Sequence, residues 1–356
     1  MPINPLLLSK RWKHHTASGG YDQLAKNVDG TVINRRPFNP LVLRIINKTI
    51  RTVGPYSDLL DYRVTDLVAE IRTLRLAQRI KPDVVHVLYG DEQLDLLVRL
   101  RKFLPCPLVA TFHLPVERVH KRFEVTQKRA LANGLDCAIV VSTNQLDAFR
   151  NWLGHDKVVY VPHGIDTKSF VPLSQEDISK VRGDPLRLIW VGDHMRDFDL
   201  ALRVLDLCDS EHVHVRLDAV LRPKAAPIFA RYSNVHVHCE ISESKLIALY
   251  RSADVAFIPV KNATANNSIL EALSCGTPVI STNVGGVRDY MDDTCGWLFS
   301  PGDVDGVFEC IRDISDHRDI LEPKSIAARK RAQKFSWENV ARMITSVYEK
   351  LQPAYV

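Results

Sequence analysis

One stretch of the chain, residues 266–286, constrains its fold more than any other. It starts with the polar run Asn266, Asn267 and Ser268, continues with apolar residues suited to a short helix, and passes through a Gly-Pro turn into a strand and a second glycine loop. Such polar residues cap the start of a helix, where unpaired backbone N–H groups and the positive end of the helix dipole attract phosphate. Glu271 falls about one turn into this helix, from where its carboxylate can accept hydrogen bonds from the hydroxyls of a ribose. The stretch therefore predicts a binding site for a nucleoside diphosphate group.

The run from Glu271 to Pro278, Glu-Ala-Leu-Ser-Cys-Gly-Thr-Pro, resembles the donor-binding signature of the retaining glycosyltransferases of family 4 (glycosyltransferase group 1). In that family a first Glu, associated with the transferred sugar, precedes at a fixed spacing a second Glu, associated with the ribose of the nucleotide. Glu271 matches the second Glu, but Ala263 occupies the position of the first. The resemblance therefore carries over the ribose role and not the sugar role, for which Asn266 or Asn267 is the candidate replacement.

The composition is that of a globular protein with two domains of ordinary size: 356 residues, of which 46% are hydrophobic and 25% charged. The chain has no run of about 18 apolar residues, and its start is too short and too interrupted by proline to be a signal peptide. We therefore expect a cytoplasmic protein, with peripheral contact at the inner face of an anionic membrane as an open alternative. The seven cysteines are odd in number and form no Cys-x-x-Cys pair, which argues against a disulfide framework and against a zinc site.

Positive charge is concentrated in the first half of the sequence. Residues 1–167 contain 24 Lys and Arg against 16 Asp and Glu, a net charge of +8, whereas the remaining residues have a net charge of −3. This asymmetry favours an anionic acceptor or an anionic membrane surface, although solvated charges without a partner explain it equally well. The cationic apolar segment at 41–51 is interpreted as core-facing rather than membrane-bound. No basic run is interleaved with aromatic residues, so no nucleic-acid partner is expected.

Strand-like apolar runs alternate with amphipathic helical patterns, which predicts parallel sheets covered by helices. The predicted strands of the first half are 83–88, 108–112 and 138–141, and those of the second half are 186–191, 213–217, 235–238, 255–259 and 278–281. His212-x-His214 and His236-x-His238 fall on or beside two of these strands, and their spacing is attributed to burial in the sheet rather than to zinc binding.

The segment from Pro162 to Asp166 resembles the interdomain segment of the family, with His163 in place of the usual Asn. The resemblance implies an α/β protein of the GT-B fold, in which two Rossmann-like domains face each other across a cleft. Residues 1–167 would form the acceptor-side domain and residues 168–335 the domain that binds the nucleotide sugar. The last segment, 336–356, would be a helix that returns to the N-terminal domain.

Arg196 is the candidate cation for the donor diphosphate. It follows the strand predicted at 186–191, on a loop at the carboxyl edge of the sheet, where open α/β sheets bind ligands. Family members usually show Arg and Lys on this loop, but Asp193 and Phe198 occupy those positions here. A fixed cation can stabilise a departing diphosphate without a metal, and the Asp-x-Asp at 197–199 is not assigned as a metal site. The alternative for Arg196 is a surface ion pair with a neighbouring aspartate.

His113 ends a predicted buried strand and resembles the Thr-x-His motif that faces the donor sugar in the family. His86, interpreted as ending the preceding strand, is a weaker candidate for the same surface. The glycine pair at 19–20 opens a helix, where family members have glycines near the donor phosphate. The loop beginning at Glu240 resembles the segment that packs against the nucleobase, and Ser242 is a good N-cap for the helix that follows.

These observations give a set of predicted site residues. The catalytic candidates are His113, Arg196 and Glu271; the donor-binding candidates are Gly19, Gly20, Glu240, Asn266, Asn267, Ser268, Ile269 and Glu271; the acceptor-side candidates are Tyr21, His86 and Glu117. No cofactor and no metal ligand is predicted.

The predicted function is retaining, metal-independent transfer of a sugar from a nucleotide-sugar donor to the hydroxyl of a glycan, a lipid-linked or a small-molecule acceptor. Retention is implied by the resemblance alone. Two alternatives remain open at the level of sequence. The same scaffold also serves sugar phosphorylases and nucleotide-sugar epimerases, and the replacements at positions 193, 198 and 263 are compatible with a catalytically silent nucleotide-sugar-binding partner subunit.

Overall fold

The protein is described from a computed structural model, over residues 3–11, 18–34, 64–123, 125–174 and 183–352. The cationic segment at 41–51 lies outside these residues. The described residues divide into two compact units. The first unit contains those up to Gly164, apart from Ser18 and Gly19, together with those from Trp337 onward. The second unit contains Ser18, Gly19 and Ile165–Ser336.

The first unit is built on a parallel sheet of six strands within the described residues, in the order β2-β1-β3-β4-β5-β6. The strands are β1 (Pro5–Ser9), β2 (Thr31–Asn34), β3 (Val84–Val87), β4 (Leu108–Phe112), β5 (Cys137–Val140) and β6 (Val158–Tyr160). Its α-helices are α1 (Val64–Ile80), α2 (Gly90–Gln93), α3 (Leu96–Arg99), α4 (Val116–Arg122), α5 (Val125–Gly134) and α6 (Leu146–Leu153). Short 3₁₀-helices are found at Tyr21–Lys26, Arg101–Phe103, Thr143–Gln145 and His155–Lys157.

The second unit has a parallel sheet in the order β12-β11-β10-β7-β8-β9, again counted over the described residues. The strands are β7 (Leu186–Val191), β8 (Val215–Val220), β9 (Val235–His238), β10 (Val255–Ile258), β11 (Val279–Thr282) and β12 (Gly296–Phe299). Its helices are α7 (Phe198–Ser210), α8 (Glu243–Ser252), α9 (Asn267–Ser274), α10 (Val287–Tyr290), α11 (Val304–Asp316) and α12 (Leu321–Gln333), with 3₁₀-helices at Pro223–Phe229 and Arg318–Ile320.

Strand β7 shows why this sheet is covered by helices on both faces. Leu188 and Trp190 point into one hydrophobic cluster, together with residues of α7 and α11. Ile189 and Val191 point into a second cluster, with residues of α8 and α9. Because successive side chains of a strand point to opposite faces, a continuous apolar run fits a strand that is buried on both sides. The run at 186–191 is therefore a central strand.

The strand order defines where a ligand is expected in the second unit. Strand β7 lies between β8 and β10, so the connections leaving β7 and β10 diverge to opposite faces of the sheet. In open α/β sheets the crevice outside the carboxyl ends of such strands binds ligands. The loop after β7 carries Arg196, and the loop after β10 leads into α9, so two predicted donor-side segments meet at this edge.

The last helix, α13 (Trp337–Leu351), belongs to the first unit. Its buried residues Trp337, Val340, Ile344 and Tyr348 recur at a helical period, which gives one apolar stripe that packs on the unit. Among the described residues, no helix combines the length and the apolar character that crossing a membrane requires.

Most strand predictions are confirmed. Strands 108–112, 186–191 and 235–238 agree residue for residue, and 83–88, 138–141, 255–259 and 278–281 agree to within one residue at each end. The strand predicted at 213–217 is shifted to 215–220. The chain turns at His212, which has a positive φ of 56°, and the strand then continues through the buried Asp218. The prediction ended the strand at 217 because Asp218 is charged, whereas β8 continues through it.

The attribution of the histidine pairs to sheet burial was wrong for most of their members. His212 and His214 are exposed and precede β8, and His236 is exposed on β9. Strand β9 forms an edge of the sheet, and the alternation of one strand does not reveal its place in the sheet order. His238 is half-buried and bonds through Nε2 to the carboxylate of Asp218 at 2.7 Å.

Gly134 provides a test of the packing in the first unit. A Cβ at this position would lie 2.4 Å from the carbonyl oxygen of Val98 and 2.7 Å from its Cα, because α5 and α3 approach closely there. We expect Gly134→Ala to lower the free energy of unfolding by ~1–3 kcal/mol through overpacking. The matched variant Gly183→Ala meets no atom within 4 Å and should stay within ~0.5 kcal/mol of the parent. Calorimetric thermal unfolding of both variants would measure this, and equal transition temperatures would contradict the close approach.

Candidate active site

The first turn of α9 is the centre of the candidate donor site. The side chain of Asn266 caps the helix by accepting from the backbone N–H of Ile269 at 3.3 Å. The N–H groups of Asn267 and Ser268, at the first two helical positions, have no acceptor within the helix. The predicted helix and its cap are confirmed, and the carboxamide oxygen of Asn266 is already used by the cap. Asn267 is therefore the better placed of the two candidate replacements for the missing carboxylate.

Arg196 is buried and joins this helix to the end of β7. Its Nε and one terminal nitrogen donate to the carbonyl oxygen of Val191, at 3.0 and 2.6 Å, and the same terminal nitrogen donates to Ser268 Oγ at 2.9 Å. The other terminal nitrogen is 3.4 Å from the carbonyl oxygen of His194. Burial lowers the pKa of Arg196 to about 10, opposed by the charges of Tyr250, Glu271 and Asp193. The guanidinium remains charged at neutral pH, and all three of its nitrogens are engaged with the protein.

Glu271 lies one turn further along α9, with 6% of the residue exposed. Its Oε2 accepts from the hydroxyl of Tyr250, in α8, at 3.0 Å. Burial raises the pKa of Glu271 to about 7; the Tyr250 hydrogen bond and the charge of Arg196 lower it, and the charge of Glu243 raises it. A carboxyl group whose pKa stands near neutrality in a ligand-binding region is a marker of a functional site.

Ser18, which directly precedes the glycine pair at 19–20, contacts Glu243 of α8 in the second unit. Its backbone N–H and its hydroxyl donate to the two carboxylate oxygens of Glu243, at 2.8 and 2.9 Å. Its hydroxyl also lies 3.3 Å from that of Ser169. Gly19 belongs to the second unit, whereas Gly20, with a positive φ of 92°, belongs to the first and precedes the 3₁₀-helix at Tyr21–Lys26. Gly19 thus directly follows a residue bonded to a carboxylate that itself interacts electrostatically with Glu271.

Two exposed cations flank the loop that carries Arg196. Arg222, just after β8, donates hydrogen bonds to the carboxylate of Asp193, with nitrogen–oxygen distances of 2.7 and 2.8 Å. The Arg222 side chain is 54% exposed. On the other side of the loop, the backbone N–H of the exposed Lys261 donates to the carbonyl oxygen of Met195 at 2.8 Å. Asp193 occupies a position that is usually Arg in the family, and the next strand supplies an Arg beside it.

The Asp-x-Asp at 197–199 acts as a helix cap. Asp197 is the N-cap of α7 and accepts from the backbone N–H of Leu200 at 3.3 Å. In the part of the chain that the structure describes, no three His, Cys, Asp or Glu side chains are grouped as metal ligands.

Glu240 and the start of α9 follow strands that are not adjacent in the sheet. Glu240 follows β9, and both β7 and β8 lie between β9 and β10. Glu240 is exposed and has a positive φ of 52°. The helix after it begins as predicted, with Ser242 accepting from the backbone N–H of Lys245 at 3.2 Å. It is this helix, α8, that delivers Tyr250 and Glu243 to the site.

His113 directly follows β4 in the first unit and is half-buried. Its Nε2 bonds to the carbonyl oxygen of Leu88 at 2.8 Å, so the proton of a neutral ring resides on this nitrogen. Its backbone N–H donates to the buried carboxylate of Asp91, which also accepts from the N–H of Leu114 at 3.2 Å. The ring lies against Tyr21 and Tyr89, with centroids 4.7 and 5.0 Å away. His113 is thus held at the carboxyl edge of the first sheet, where it was predicted.

Tyr21 is the hub of an aromatic cluster within the first unit. Its ring contacts His163 and Trp337 edge-on, at centroid distances of 5.3 and 5.5 Å, in addition to His113. The residue is 1% exposed, and burial raises the pKa of Tyr21 while a hydrogen bond from Thr111 lowers it. Its side chain therefore supports His113 from within rather than presenting a hydroxyl to an acceptor.

The placement of His86 was wrong. It lies within β3 rather than at its end, is fully buried, and bonds to Tyr348 through Nδ1 at 2.6 Å and to Thr111 through Nε2 at 2.8 Å. Burial, with a contribution from His113, lowers the pKa of His86 to about 3. Since the strand continues past this residue, its side chain fixes α13 on the sheet and has no surface to offer an acceptor. Glu117, in contrast, is exposed in the first turn of α4.

Sequence models of two families match consecutive parts of the chain. The model described as Glycosyltransferase Family 4 matches residues 23–169, and the model described as Glycosyl transferases group 1 matches residues 173–317. Together they match most of both units. The chain belongs to the group 1, family 4 glycosyltransferases.

Two curated relatives align with most of the length of the chain. The sulfoquinovosyl transferase of Arabidopsis thaliana is 25% identical over 292 residues, 73% of this chain and 55% of the relative. The MMP alpha-(1→4)-mannosyltransferase of Mycolicibacterium hassiacum is 27% identical over 276 residues, 68% of this chain and 65% of the relative. The chain thus spans between half and two thirds of the length of these two proteins.

Solved structures show the fold. The HepE protein of Anabaena, in complex with UDP-glucose, superimposes with a TM-score of 0.71 over 98% of this chain and all of that chain, at 16% identity. The two Rossmann-like units and the strand order agree with the predicted GT-B fold, which is confirmed at the level of the fold.

Three side chains around the site are not indicated by the sequence. Tyr250, Ser18 and Glu243 carry no local signal beyond helix and loop composition. The contact between Ser18 and Glu243 joins residues 225 positions apart in sequence, which no local pattern reports.

The raised pKa of Glu271 gives a stability test. Since the folded protein holds this proton more tightly than the unfolded chain, the free energy of unfolding falls as pH rises from about 4.5 to about 7. We expect Glu271→Gln, which lacks the buried charge, to be more stable than the parent by ~1–3 kcal/mol above pH 7, and equally stable below about pH 4.5. Urea unfolding across this pH range measures the difference.

Asp218→Asn is the control of opposite sign. Burial raises the pKa of Asp218, but hydrogen bonds from His238 and Arg216 outweigh burial and hold it below its usual value. This variant should be less stable than the parent at neutral pH, with the difference vanishing as pH falls below about 4. A Glu271→Gln variant that is less stable than the parent at pH 8 would contradict the assigned environment.

Proposed function

We propose that this glycosyltransferase transfers a sugar from a nucleotide-sugar donor to an acceptor hydroxyl, with retention of configuration and without a metal ion. The observation that carries the proposal is the first turn of α9. There, backbone N–H groups without helical acceptors lie one turn before the buried Glu271, and the buried Arg196 donates to Ser268 in the same turn. The complex of HepE with UDP-glucose supports a nucleotide-sugar donor for a chain of this fold.

The diphosphate of the donor is assigned to the N-terminus of α9. The N–H groups of Asn267 and Ser268 and the positive end of the helix dipole favour an anion there. Arg196 acts in this proposal through Ser268, since its nitrogens are engaged with Val191 and Ser268. It contributes fixed positive charge beside the leaving phosphate, and Lys261 and Arg222 are exposed cations on either side of its loop.

The reaction is written as a displacement on one face of the sugar. The acceptor oxygen forms a bond to the anomeric carbon on the side from which the phosphate oxygen departs, the bond between carbon and phosphate oxygen breaks, and the acceptor proton passes to that leaving oxygen. Stabilising the leaving diphosphate is then the main task of the protein. Ala263 occupies the family position of the first carboxylate, and Asn267 is the candidate that binds the sugar hydroxyls in its place.

The first unit is assigned to the acceptor, with His113 at the carboxyl edge of its sheet and the exposed Glu117 on the adjoining helix. A backbone carbonyl or a neutral imidazole at this place can orient hydroxyls and support positive charge at the anomeric carbon. The net charge of +8 on residues 1–167 favours an acceptor that carries an anionic group, free or lipid-linked. Such a protein would work in the cytoplasm.

Glu271→Ala tests the donor site. Loss of the ribose hydrogen bonds to a charged group, at about 1.5–3 kcal/mol each, should weaken nucleoside diphosphate binding by ~10–100-fold and lower sugar transfer at least as much. Calorimetric titration with UDP, GDP and ADP, followed by transfer assays with the corresponding nucleotide sugars, measures both effects. Glu309→Ala is the matched control, because Glu309 is an exposed glutamate of α11 that pairs with Arg312.

Full activity of Glu271→Ala would refute the site assignment. Turnover that requires inorganic phosphate, or a new nucleotide sugar formed without any acceptor, would instead identify a phosphorylase or an epimerase. Binding of nucleotide sugars without release of nucleotide in the presence of acceptors would identify a silent partner subunit.

Chelation tests the absence of a metal requirement. If charge on the leaving diphosphate is stabilised by backbone N–H groups and cationic side chains, excess EDTA should change the transfer rate by less than about twofold. A loss of activity in EDTA that added Mg²⁺ or Mn²⁺ restores would contradict this part of the proposal.

A further inference from the structure

Tyr250 and Glu271 form a buried hydroxyl–carboxylate pair inside the second unit. Tyr250 has no exposed surface and Glu271 has 6%. The hydroxyl lies 3.0 Å from Glu271 Oε2 and 3.3 Å from the carbonyl oxygen of Ser268. One hydroxyl of α8 therefore touches both the carboxylate and the backbone of the first turn of α9.

Among the described residues, the Tyr250 hydroxyl is the group that donates a hydrogen bond to the Glu271 carboxylate. An ionised carboxylate has about four acceptor positions, so one bond from Tyr250 leaves most of them open. The same bond restricts rotation of the carboxylate, because its Oε2 is tied to a side chain that is fixed by packing. Thr277 adds to this fixation by donating to the Tyr250 carbonyl oxygen at 2.7 Å.

The charged and titratable groups that face Glu271 come from three elements. Tyr250 and Glu243 belong to α8, Arg196 belongs to the loop after β7, and Cys275 follows α9 itself. The thiol of Cys275 stays neutral, since burial raises its pKa to about 12. Arg196 and Glu243 have opposite charges, and Glu243 is engaged by Ser18. Tyr250 is thus the neighbour that acts on Glu271 by a direct hydrogen bond.

We propose that Tyr250 is the positioning residue for ribose recognition: its hydroxyl orients the Glu271 carboxylate so that the remaining acceptor positions meet the 2′- and 3′-hydroxyls of the nucleotide. This inference rests on the proposed function, because it assumes that Glu271 binds the ribose. It assigns to Tyr250 a role that is separate from the packing of α8 on α9.

The consequence of removing the hydroxyl follows from the geometry. In Tyr250→Phe the carboxylate loses its only direct donor among the described residues and stays buried, so the proton is held more tightly and the carboxylate is free to rotate. Both changes weaken acceptance of ribose hydroxyls and leave the phosphate contacts at the start of α9 untouched. The affinity for a nucleotide that lacks the 2′- and 3′-hydroxyls should therefore be the same in Tyr250→Phe and in the parent protein.

The experiment measures dissociation constants by calorimetry for UDP, GDP and ADP, each beside its 2′,3′-dideoxy counterpart, between pH 5.5 and 9. The quantity of interest is the ratio of the two affinities, because protonation of the phosphates affects both nucleotides equally and cancels. Tyr232→Phe is the matched control, since the Tyr232 hydroxyl also bonds to a carboxylate, that of Asp206, at 2.7 Å, on the surface of the same unit.

For the parent protein we expect preference for the ribonucleotide that rises with pH through about 7, where Glu271 ionises. Tyr250→Phe should lower ribonucleotide affinity about tenfold at pH 7, leave dideoxynucleotide affinity unchanged, and move the rise in preference to higher pH. Tyr232→Phe should change none of these. Unchanged dideoxynucleotide binding also shows that the variant is folded.

Three results would overturn the inference in distinguishable ways. Equal losses for ribo- and dideoxynucleotides in Tyr250→Phe would show a packing role only. An unchanged preference and an unchanged pH profile would show that Glu271 needs no positioning by Tyr250. A parent protein that does not prefer the ribose form would refute ribose binding by Glu271, and the inference with it, whereas one that binds no nucleoside diphosphate would refute the proposed function itself.

Discussion

The buried guanidinium of Arg196 links the end of β7 to the first turn of α9, and the arrangement of the donor-side groups depends on this link. Burying a cation is costly unless it is hydrogen-bonded and near opposite charge. Here two bonds go to the Val191 carbonyl and one to Ser268 Oγ, while Glu271 and Asp193 supply negative charge nearby. The loop after β7 and the start of α9 are consequently fixed to each other without any ligand. Such fixed positive charge needs no reorganisation when a phosphate arrives.

Local signals in the sequence predict the elements of the site but not the contacts between them. The cap at Asn266, the Ser242 start of α8 and the apolar run of β7 all follow from side-chain chemistry within a few residues, and each is found as predicted. The Tyr250–Glu271 and Ser18–Glu243 bonds join different elements, so they follow only from the packed structure. His86 shows the same limit, because a strand's end and its interior look alike when both are apolar.

A group that is replaced at one position of the family signature can be supplied from another position. Asp193, where the family usually has an Arg, holds Arg222 from the neighbouring strand, so a guanidinium is still present at this edge of the sheet. Ala263 instead has a backbone role, with its carbonyl oxygen accepting from the N–H of Gly286 at 2.8 Å. Reading a signature one position at a time therefore misses groups that arrive from an adjacent strand.

The course of the chain through the two units has a consequence for its biosynthesis. The first unit contains residues near the beginning of the sequence, but it also needs α13, which brings Tyr348 to His86 and Trp337 to Tyr21. A ribosome working from the N-terminus completes every residue of the second unit before it reaches α13. Until then His86 lacks its tyrosine partner, whereas all residues of the second unit are already present. The contacts that complete the first unit therefore form only after the whole of the second unit has been synthesised.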